Sequence, residues 1–174
     1  MSNPKIINKT KQTCLERYGV TNAFFLEKCI AAKDRYYHTN AGKIASKPEN
    51  QAYEVFKEKF PDVKRQYKSK EYPYRCDFYI PSLDLYIECH YSQYHHGKPF
   101  DANNPDHLKE LEILKDKSEK RKALTGKDKT QYDKIIYTWT ELDPKKLEIA
   151  KQNNLNFVTL YNIKQTKDFV NSYK

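Results

Sequence analysis

The chain has 174 residues, which suits one compact domain with a small appendage, and 32 basic against 23 acidic residues give it a net charge of +9. It has no apolar stretch near the roughly 20 residues of a membrane-spanning helix and no apolar signal-peptide core, which excludes membrane and secreted proteins. The cysteines (Cys14, Cys29, Cys76 and Cys89) form no CxxC pair, so a zinc site or disulfide framework is not expected. We expect an intracellular, cytoplasmic protein without an organic cofactor.

The N-terminal quarter is strongly basic. Residues 1–48 contain nine basic and three acidic residues, and therefore six of the nine net positive charges. Such a surface attracts polyanions, and phosphate contacts supply most sequence-independent affinity for nucleic acids; a merely solvated surface is the alternative. The residues that we expect to contact DNA are Lys9, Lys11, Arg17, Lys28 and Arg35.

Two helices are predicted in this quarter, over 5–18, ending at Gly19, and over 22–37. Their short connection fits a helix-turn-helix DNA module and a plain helical hairpin equally well. A linker is predicted over 40–47. We therefore expect a basic helical module over 1–45 and a second domain over 46–174.

The second domain alternates helical and strand patterns after a leading helix over 46–61. The further elements are strands over 63–67, 74–80 and 85–90, a helix over 109–122, a strand over 135–139, a helix over 143–152 and a strand over 156–161. This order predicts an α/β fold with a mixed β-sheet flanked by helices.

The hairpin predicts two opposed carboxylates. With Ser82-Leu83 as a two-residue turn, Asp77 lies opposite Glu88, and both point with His90 away from the apolar set. That apolar set is Cys76, Phe78, Ile80, Leu85, Ile87 and Cys89. Opposed carboxylates repel each other, and a hard cation such as Mg²⁺ would offset the repulsion; a solvated face neutralised by Arg75 or lysines is the alternative.

Glu49 and the histidines are the other candidates. Ser46-x-x-Glu49 is a capping-box pattern, yet Glu49 also lies on the core-facing stripe of its helix, so both a capping and a site role are open. His90, His95 and His96 fall within seven residues. Histidine suits proton transfer near neutral pH, whereas zinc binding or ordinary loop contacts are the alternatives.

Four motifs together resemble the PD-(D/E)XK nuclease superfamily. They are Ser46-x-x-Glu49, Asp77-Phe-Tyr-Ile-Pro81, Leu85-Tyr-Ile-Glu88-Cys-His90 and His95-His96-Gly97. Over 46–161 the chain is most similar to the very-short-patch-repair-like branch and to phage homing endonucleases of the EDxHD type. The resemblance implies a restriction-endonuclease-like core and Mg²⁺-dependent hydrolysis of double-stranded DNA, with Mn²⁺ as a substitute.

The resemblance also implies site residues. The catalytic set that it implies is Glu49, Asp77, Glu88, His90, His95 and Asp143. Asp77 would hold the metal together with either Glu88 or the backbone carbonyl of Cys89, and this choice stays open. His90 or His95 would move the proton, and Asp143 would orient the histidine.

Two departures separate the chain from the repair enzymes. Gln93-Tyr94 offers one aromatic residue before His95, and the structural zinc cysteines are missing, so a homing-type or other phage nuclease in a bacterial host is favoured. Residues 11–23 also resemble a short module of phage endonucleases. The rival hypotheses are a non-catalytic DNA-binding protein on a nuclease-like scaffold and a nuclease of branched DNA or RNA. We expect a monomer.

Overall fold

The computed structural model describes residues 4–22 and 25–173, and the chain divides into two compact units, Met1–Ile44 and Ala45–Lys174. The first unit contains α1 (Pro4–Tyr18) and α2 (Glu27–Ile44). Gly19 ends α1 as expected, because its φ of +69° breaks the helix while its N–H donates to the Leu15 carbonyl at 2.9 Å.

The predicted second helix differs from α2 at both ends. α2 begins at Glu27 rather than residue 22, and residues 23 and 24 lie outside the described part of the chain. The linker predicted over 40–47 is wrong for residues 40–44, which belong to α2. Gly42 lies inside α2, and one glycine inside a helix costs only about 1 kcal/mol.

The second unit combines five helices with four strands in its described residues. The elements are α3 (Lys47–Lys59), β1 (Lys64–Tyr67), β2 (Cys76–Ile80), β3 (Leu85–Cys89), α4 (Pro105–Thr125), α5 (Gln131–Tyr137), α6 (Asp143–Gln152), β4 (Asn156–Leu160) and α7 (Ile163–Ser172). The sheet has the order β1-β2-β3-β4, antiparallel up to β3 and parallel between β3 and β4. The prediction of a mixed sheet with flanking helices is confirmed.

The register of the central hairpin is the predicted one. Phe78 pairs with Ile87, and Ile80 pairs with Leu85. The turn, however, is not the predicted two-residue turn: a 3₁₀ turn over Pro81–Leu83 is followed by Asp84 at φ +45°. The four-residue connection preserves the register because it contains the predicted turn at its centre.

The core lies mainly between the sheet and the helices α3 and α7. The main cluster joins Ala52 and Phe56 of α3 with Phe78, Ile87 and Val170. Cys89 packs against this cluster as predicted. Cys76 does not, because it belongs to a second cluster with Tyr72, Tyr86 and Ala150.

The strand predicted over 135–139 is wrong. Ile135 and Ile136 lie in α5, and Trp139 lies in a π-helical turn over Thr138–Leu142 that leads directly into α6. A short apolar run fits a buried strand and a buried helix equally well. Thr130 decides the outcome, because it forms a full capping box with Asp133.

After β4 the chain continues into α7, a helix that was not predicted from the sequence. None of the helices in the described ranges combines the length and apolarity that a bilayer crossing requires.

Candidate active site

The candidate residues meet where β2 begins and where β3 and β4 end, beside α6. Asp77 lies on β2 and Glu88 on β3, while His90 follows β3 directly. The His90 N–H donates to the Leu160 carbonyl at 2.8 Å, so the contact between β3 and β4 continues one residue past the strand. A 3₁₀ turn over Gln93–His95 then brings His95 back onto His90.

Asp77 sits in an environment that disfavours its charge. Its Oδ2 accepts the Cys89 N–H at 2.7 Å, which favours the carboxylate. Burial nevertheless raises the pKa of Asp77 well above its usual range, and the nearby carboxylates of Glu88 and Glu49 raise it further. A cation at this place would remove the penalty.

Glu49 reaches the same place from α3. The Ser46 hydroxyl caps the helix by accepting the Glu49 N–H at 3.3 Å, while the Glu49 carboxylate accepts the side-chain amide of Gln66 at 2.9 Å. The backbone N–H of Glu49 therefore belongs to the N-terminal cap of α3, while its carboxylate is bound to Gln66 of β1. Burial raises the pKa of Glu49, although the Gln66 amide opposes this shift.

Gln66 has an unusual backbone. By the β1–β2 register it lies opposite Asp77, and its φ of +52° is left-handed. Such a conformation costs a non-glycine residue about 1 kcal/mol or more and persists where the surroundings impose it. The hydrogen bond to Glu49 is one such constraint, and it joins α3 to the sheet at the site.

Glu88 is the most buried carboxylate of the site, with 2% of its surface exposed. Its Oε1 accepts the Tyr72 hydroxyl at 2.8 Å, and its Oε2 accepts the Lys146 ammonium at 2.8 Å. The same Oε2 lies 3.9 Å from the Nε2 of His90. Both oxygens of Glu88 thus already have a donor, and Lys146 neutralises the charge.

His90, His95 and Asp143 form a compact group. The two imidazole rings are stacked, with centroids 3.9 Å apart and planes 8° from parallel. The Nδ1 of His95 lies 2.7 Å from the Oδ2 of Asp143, while the Nδ1 of His90 lies 3.5 Å from the same oxygen. A carboxylate only accepts, so His95 donates from Nδ1 and its Nε2 remains a proton acceptor.

His90 is buried and uncharged near neutral pH. Burial lowers the pKa of His90 to about 2, and the neighbouring His95 and Lys146 act in the same direction. Its two ring nitrogens are buried without a hydrogen-bond partner, as is the Oδ1 of Asp143. Buried polar atoms without partners are rare, and they mark this group as a place where water, an ion or a ligand would make further contacts.

The His90, His95 and Asp143 group is geometrically poor as a metal site, although its ligand atoms lie within 4.8 Å of one another. The lone pairs of histidine nitrogens lie in the ring planes, so two parallel stacked rings do not direct them at one ion about 2 Å away. The Oδ2 of Asp143 is also engaged by His95. This group fits proton transfer better than metal coordination.

The carboxylates fit a hard divalent cation better. Mg²⁺ prefers oxygen ligands and one or two carboxylates, and Asp77 offers an oxygen donor whose charge the Cys89 N–H and Lys146 compensate only in part. Cys89 is a poor thiolate ligand here, because burial raises the pKa of its thiol well above its usual range. The donor set at Asp77 therefore suits Mg²⁺ or Mn²⁺, and not a soft metal.

The residues expected to contact DNA all lie in the N-terminal unit. Lys9, Lys11 and Arg17 are exposed on α1, and Lys28 and Arg35 are exposed on α2. These side chains are therefore accessible to solvent, which contact with DNA phosphates would require.

Sequence reasoning missed the residues that support the site, chiefly Tyr72, Lys146 and Gln66. Lys146 could have been found, because it follows Asp143 by three residues on one helix and so shares its face. Tyr72 and Gln66 lie in short loop and strand segments whose pattern gave no indication of these contacts.

Comparison of the chain with protein-family models, with curated proteins and with solved structures finds no match in any of the three. The functional argument therefore depends on the residues of the chain itself.

Proposed function

We propose that the protein is a metal-dependent endonuclease that hydrolyses phosphodiester bonds in double-stranded DNA. The observation that carries the proposal is the juxtaposition of an incompletely compensated carboxylate, Asp77, with the hydrogen bond between His95 and Asp143. Glu88, Lys146 and His90 connect the two. Phosphodiester hydrolysis needs these two parts, charge stabilisation at the phosphate and a group that moves a proton. The motif resemblance to PD-(D/E)XK nucleases of the homing type supports the same reaction.

Asp77 is the proposed principal metal ligand. Glu88 is less suited to that role, because Tyr72 and Lys146 already donate to its two oxygens. Glu88 instead fixes Lys146 and so shapes the charge of the site. The other ligands that we propose are the Cys89 carbonyl and, through water, Glu49. Bound Mg²⁺ or Mn²⁺ would supply charge neutralisation and an activated water.

His95 is the proposed proton acceptor. Asp143 accepts a hydrogen bond from the Nδ1–H of His95 and thereby fixes the tautomer in which Nε2 takes a proton from water. His90 stacks on His95 and limits its rotation, while its low pKa keeps an uncharged ring beside the proton-transfer group. In the proposed division of roles, His95 takes the proton, Asp143 orients the His95 ring, and His90 holds that ring in position.

The proposed partner is DNA bound as a polyanion by the basic N-terminal unit. The exposed cations of α1 and α2 would provide phosphate contacts without base selectivity of their own. A non-catalytic DNA-binding protein would share this property, so binding alone does not distinguish the two hypotheses. Cleavage does.

The test is cleavage of supercoiled plasmid and phage genomic DNA with Mg²⁺, with Mn²⁺ and with EDTA. We expect cutting or nicking that requires metal, and Asp77→Ala should slow it by roughly a hundredfold or more, since metal catalysis contributes several kcal/mol. Asp116→Ala is the matched control, because Asp116 is a surface carboxylate that pairs with Lys120 on α4. Equal rates for wild type and Asp77→Ala, or cutting in EDTA, would refute the proposal.

A further inference from the structure

A pocket of about 250 Å³ opens beside His90 and Asp143. Its other walls include Phe100 from the loop before α4, Leu147 from α6 and Tyr161 after β4. Tyr161 also meets the His90 ring edge-on, with centroids 5.6 Å apart. The pocket thus joins aromatic and aliphatic walls to the polar atoms of the candidate active site.

Three polar atoms of the residues that line this pocket lack hydrogen-bond partners within the described chain. His90 is 5% exposed, and neither of its ring nitrogens has a hydrogen bond. The Oδ1 of Asp143 is in the same state. A ligand that offers both donors and acceptors would complete these contacts.

The size of the pocket suits a single small group. Sites for drug-sized molecules occupy about 300 to 1,000 Å³, and this pocket, just below that range, has room for one compact ring system. The aromatic side chains of Phe100 and Tyr161 provide faces or edges for a planar ring.

Charge determines which part of a nucleic acid fits. The charged residues that line the pocket are Asp143, Glu148 and Lys151, two acids against one lysine, which disfavours a phosphate. The unpartnered carboxylate oxygen of Asp143 can accept a hydrogen bond from an N–H donor. A nucleobase is uncharged, planar and edged with N–H donors and ring acceptors. It matches the pocket in size, shape and polarity.

We propose that this pocket receives one nucleobase turned out of the DNA stack beside the phosphate that is cut. This inference rests on the proposed function and extends it, since it assigns the enzyme a preference for DNA in which one base leaves the stack easily. Extrusion costs a few kcal/mol in a paired duplex and least for an unpaired base.

The test compares two duplexes in EDTA, where binding is measured without cleavage. One duplex is fully paired, and the other carries a single unpaired 5-iodouracil. Wild-type protein should bind the second about fivefold more tightly or better, since stacking of one base contributes about 1–3 kcal/mol. Irradiation should crosslink the iodouracil to the segment that contains Phe100 or Tyr161, as identified by mass spectrometry.

Two variants of matched chemistry make the test specific. Leu147→Phe adds volume inside the pocket and should reduce the ratio of the two affinities towards one. Leu124→Phe places the same change at a side chain that is 77% exposed near the end of α4, and it should leave the ratio as in wild type.

Equal affinities in wild type, a ratio that Leu147→Phe leaves intact, or crosslinks outside the pocket would overturn the inference. Plasmid cleavage with Mg²⁺, measured in parallel, separates it from the proposed function. Cleavage without preference for the unpaired base rejects the pocket alone, whereas preference without cleavage on any DNA rejects the nuclease alone.

Discussion

The two units of the chain differ in how much apolar surface they bury. Among the described side chains of the N-terminal unit, Ala41 is the one buried apolar residue, whereas Ile6, Phe25 and Tyr36 are more than half exposed. The second unit buries three clusters around its sheet and helices. Apolar burial is the main stabilising contribution to a fold, so most of the stability should reside in the second unit.

The units also differ in where their charged groups are directed. The exposed cations of α1 and α2 face solvent, while the second unit, besides its surface charges, brings Glu88, Lys146 and Asp143 together at a largely buried site. Of the four buried side-chain atoms without a partner in the described residues, three belong to His90 and Asp143. We infer that one unit is suited to holding a polyanion and the other to chemistry.

The largest expected effect tests the difference in burial. Phe56 is fully buried with its ring 5.2 Å from that of Phe78, so Phe56→Ala should lower the free energy of unfolding by about 3–5 kcal/mol. Ile30 on α2 is 40% exposed, and Ile30→Ala should cost less than about 1 kcal/mol. Urea unfolding of both variants measures the two values, and similar losses would contradict the contrast.

Some features of the second unit could be predicted from the sequence because they follow from local patterns. The alternating pattern of the hairpin and its fixed register follow from local chemistry, so Phe78 and Ile87 were correctly paired. The position of His95 beside Asp143 was implied by the family resemblance, and the two side chains lie within hydrogen-bond distance. The nuclease-like architecture itself stays a prediction.

Other features depend on contacts that no local pattern encodes. Cys76 belongs to the buried cluster of Tyr86 and not to that of Phe78, and Gln66 on the neighbouring strand has a left-handed backbone conformation. Lys146 meets Glu88 across 58 residues of sequence. Such contacts arise from tertiary packing, which overrides the simple alternation of a strand.

The second prediction concerns proton transfer in the second unit. His95→Ala should reduce the cleavage rate by about a hundredfold or more, because a positioned acid–base group contributes that much. Asp143→Asn should also slow cleavage, since an amide can turn its NH₂ towards His95 and favour the wrong tautomer. Single-turnover cleavage with saturating protein measures both, and it leaves DNA binding out of the comparison.

DNA affinity is the control measurement for that experiment. His95→Ala should bind DNA as wild type does at a fixed salt concentration, because the exposed cations lie in the other unit. A His95→Ala protein that loses affinity while keeping its single-turnover rate would contradict the assignment of chemistry to His95.

A smaller effect is expected from the basic N-terminal unit. The combined change of Lys9, Lys11 and Arg17 to alanine should weaken DNA binding by about tenfold or more. It should also reduce the salt slope, which is the steepness of the fall in the logarithm of the binding constant with the logarithm of the salt concentration, by up to about three. Fluorescence anisotropy at several salt concentrations measures both quantities. An unchanged salt slope would show that these side chains do not contact phosphate, and Lys28 and Arg35 would be tested next.

The smallest effect comes from Asp77 in the absence of metal, and its sign follows from its raised pKa. In the unfolded chain an aspartate titrates near pH 3.9, whereas burial and the carboxylates of Glu88 and Glu49 raise the pKa of Asp77 in the fold. The fold therefore favours the protonated form. Its stabilising contribution is complete below about pH 3.9 and is lost as the pH rises towards the folded pKa.

Asp77→Asn removes this titration and should make the metal-free protein more stable near pH 7, by about 1 kcal/mol or more, even though cleavage is lost. Thermal melts in EDTA between pH 4 and 8 measure the difference from wild type, which should widen with pH. Asp116→Asn, a change at a surface ion pair, should show no such widening. Because a cation at Asp77 offsets the same repulsion, Mg²⁺ should raise the melting temperature of wild type and leave Asp77→Asn unaffected. Parallel pH curves for wild type and Asp77→Asn would mean that Asp77 carries no uncompensated charge, and the argument for a metal at that residue would fail with it.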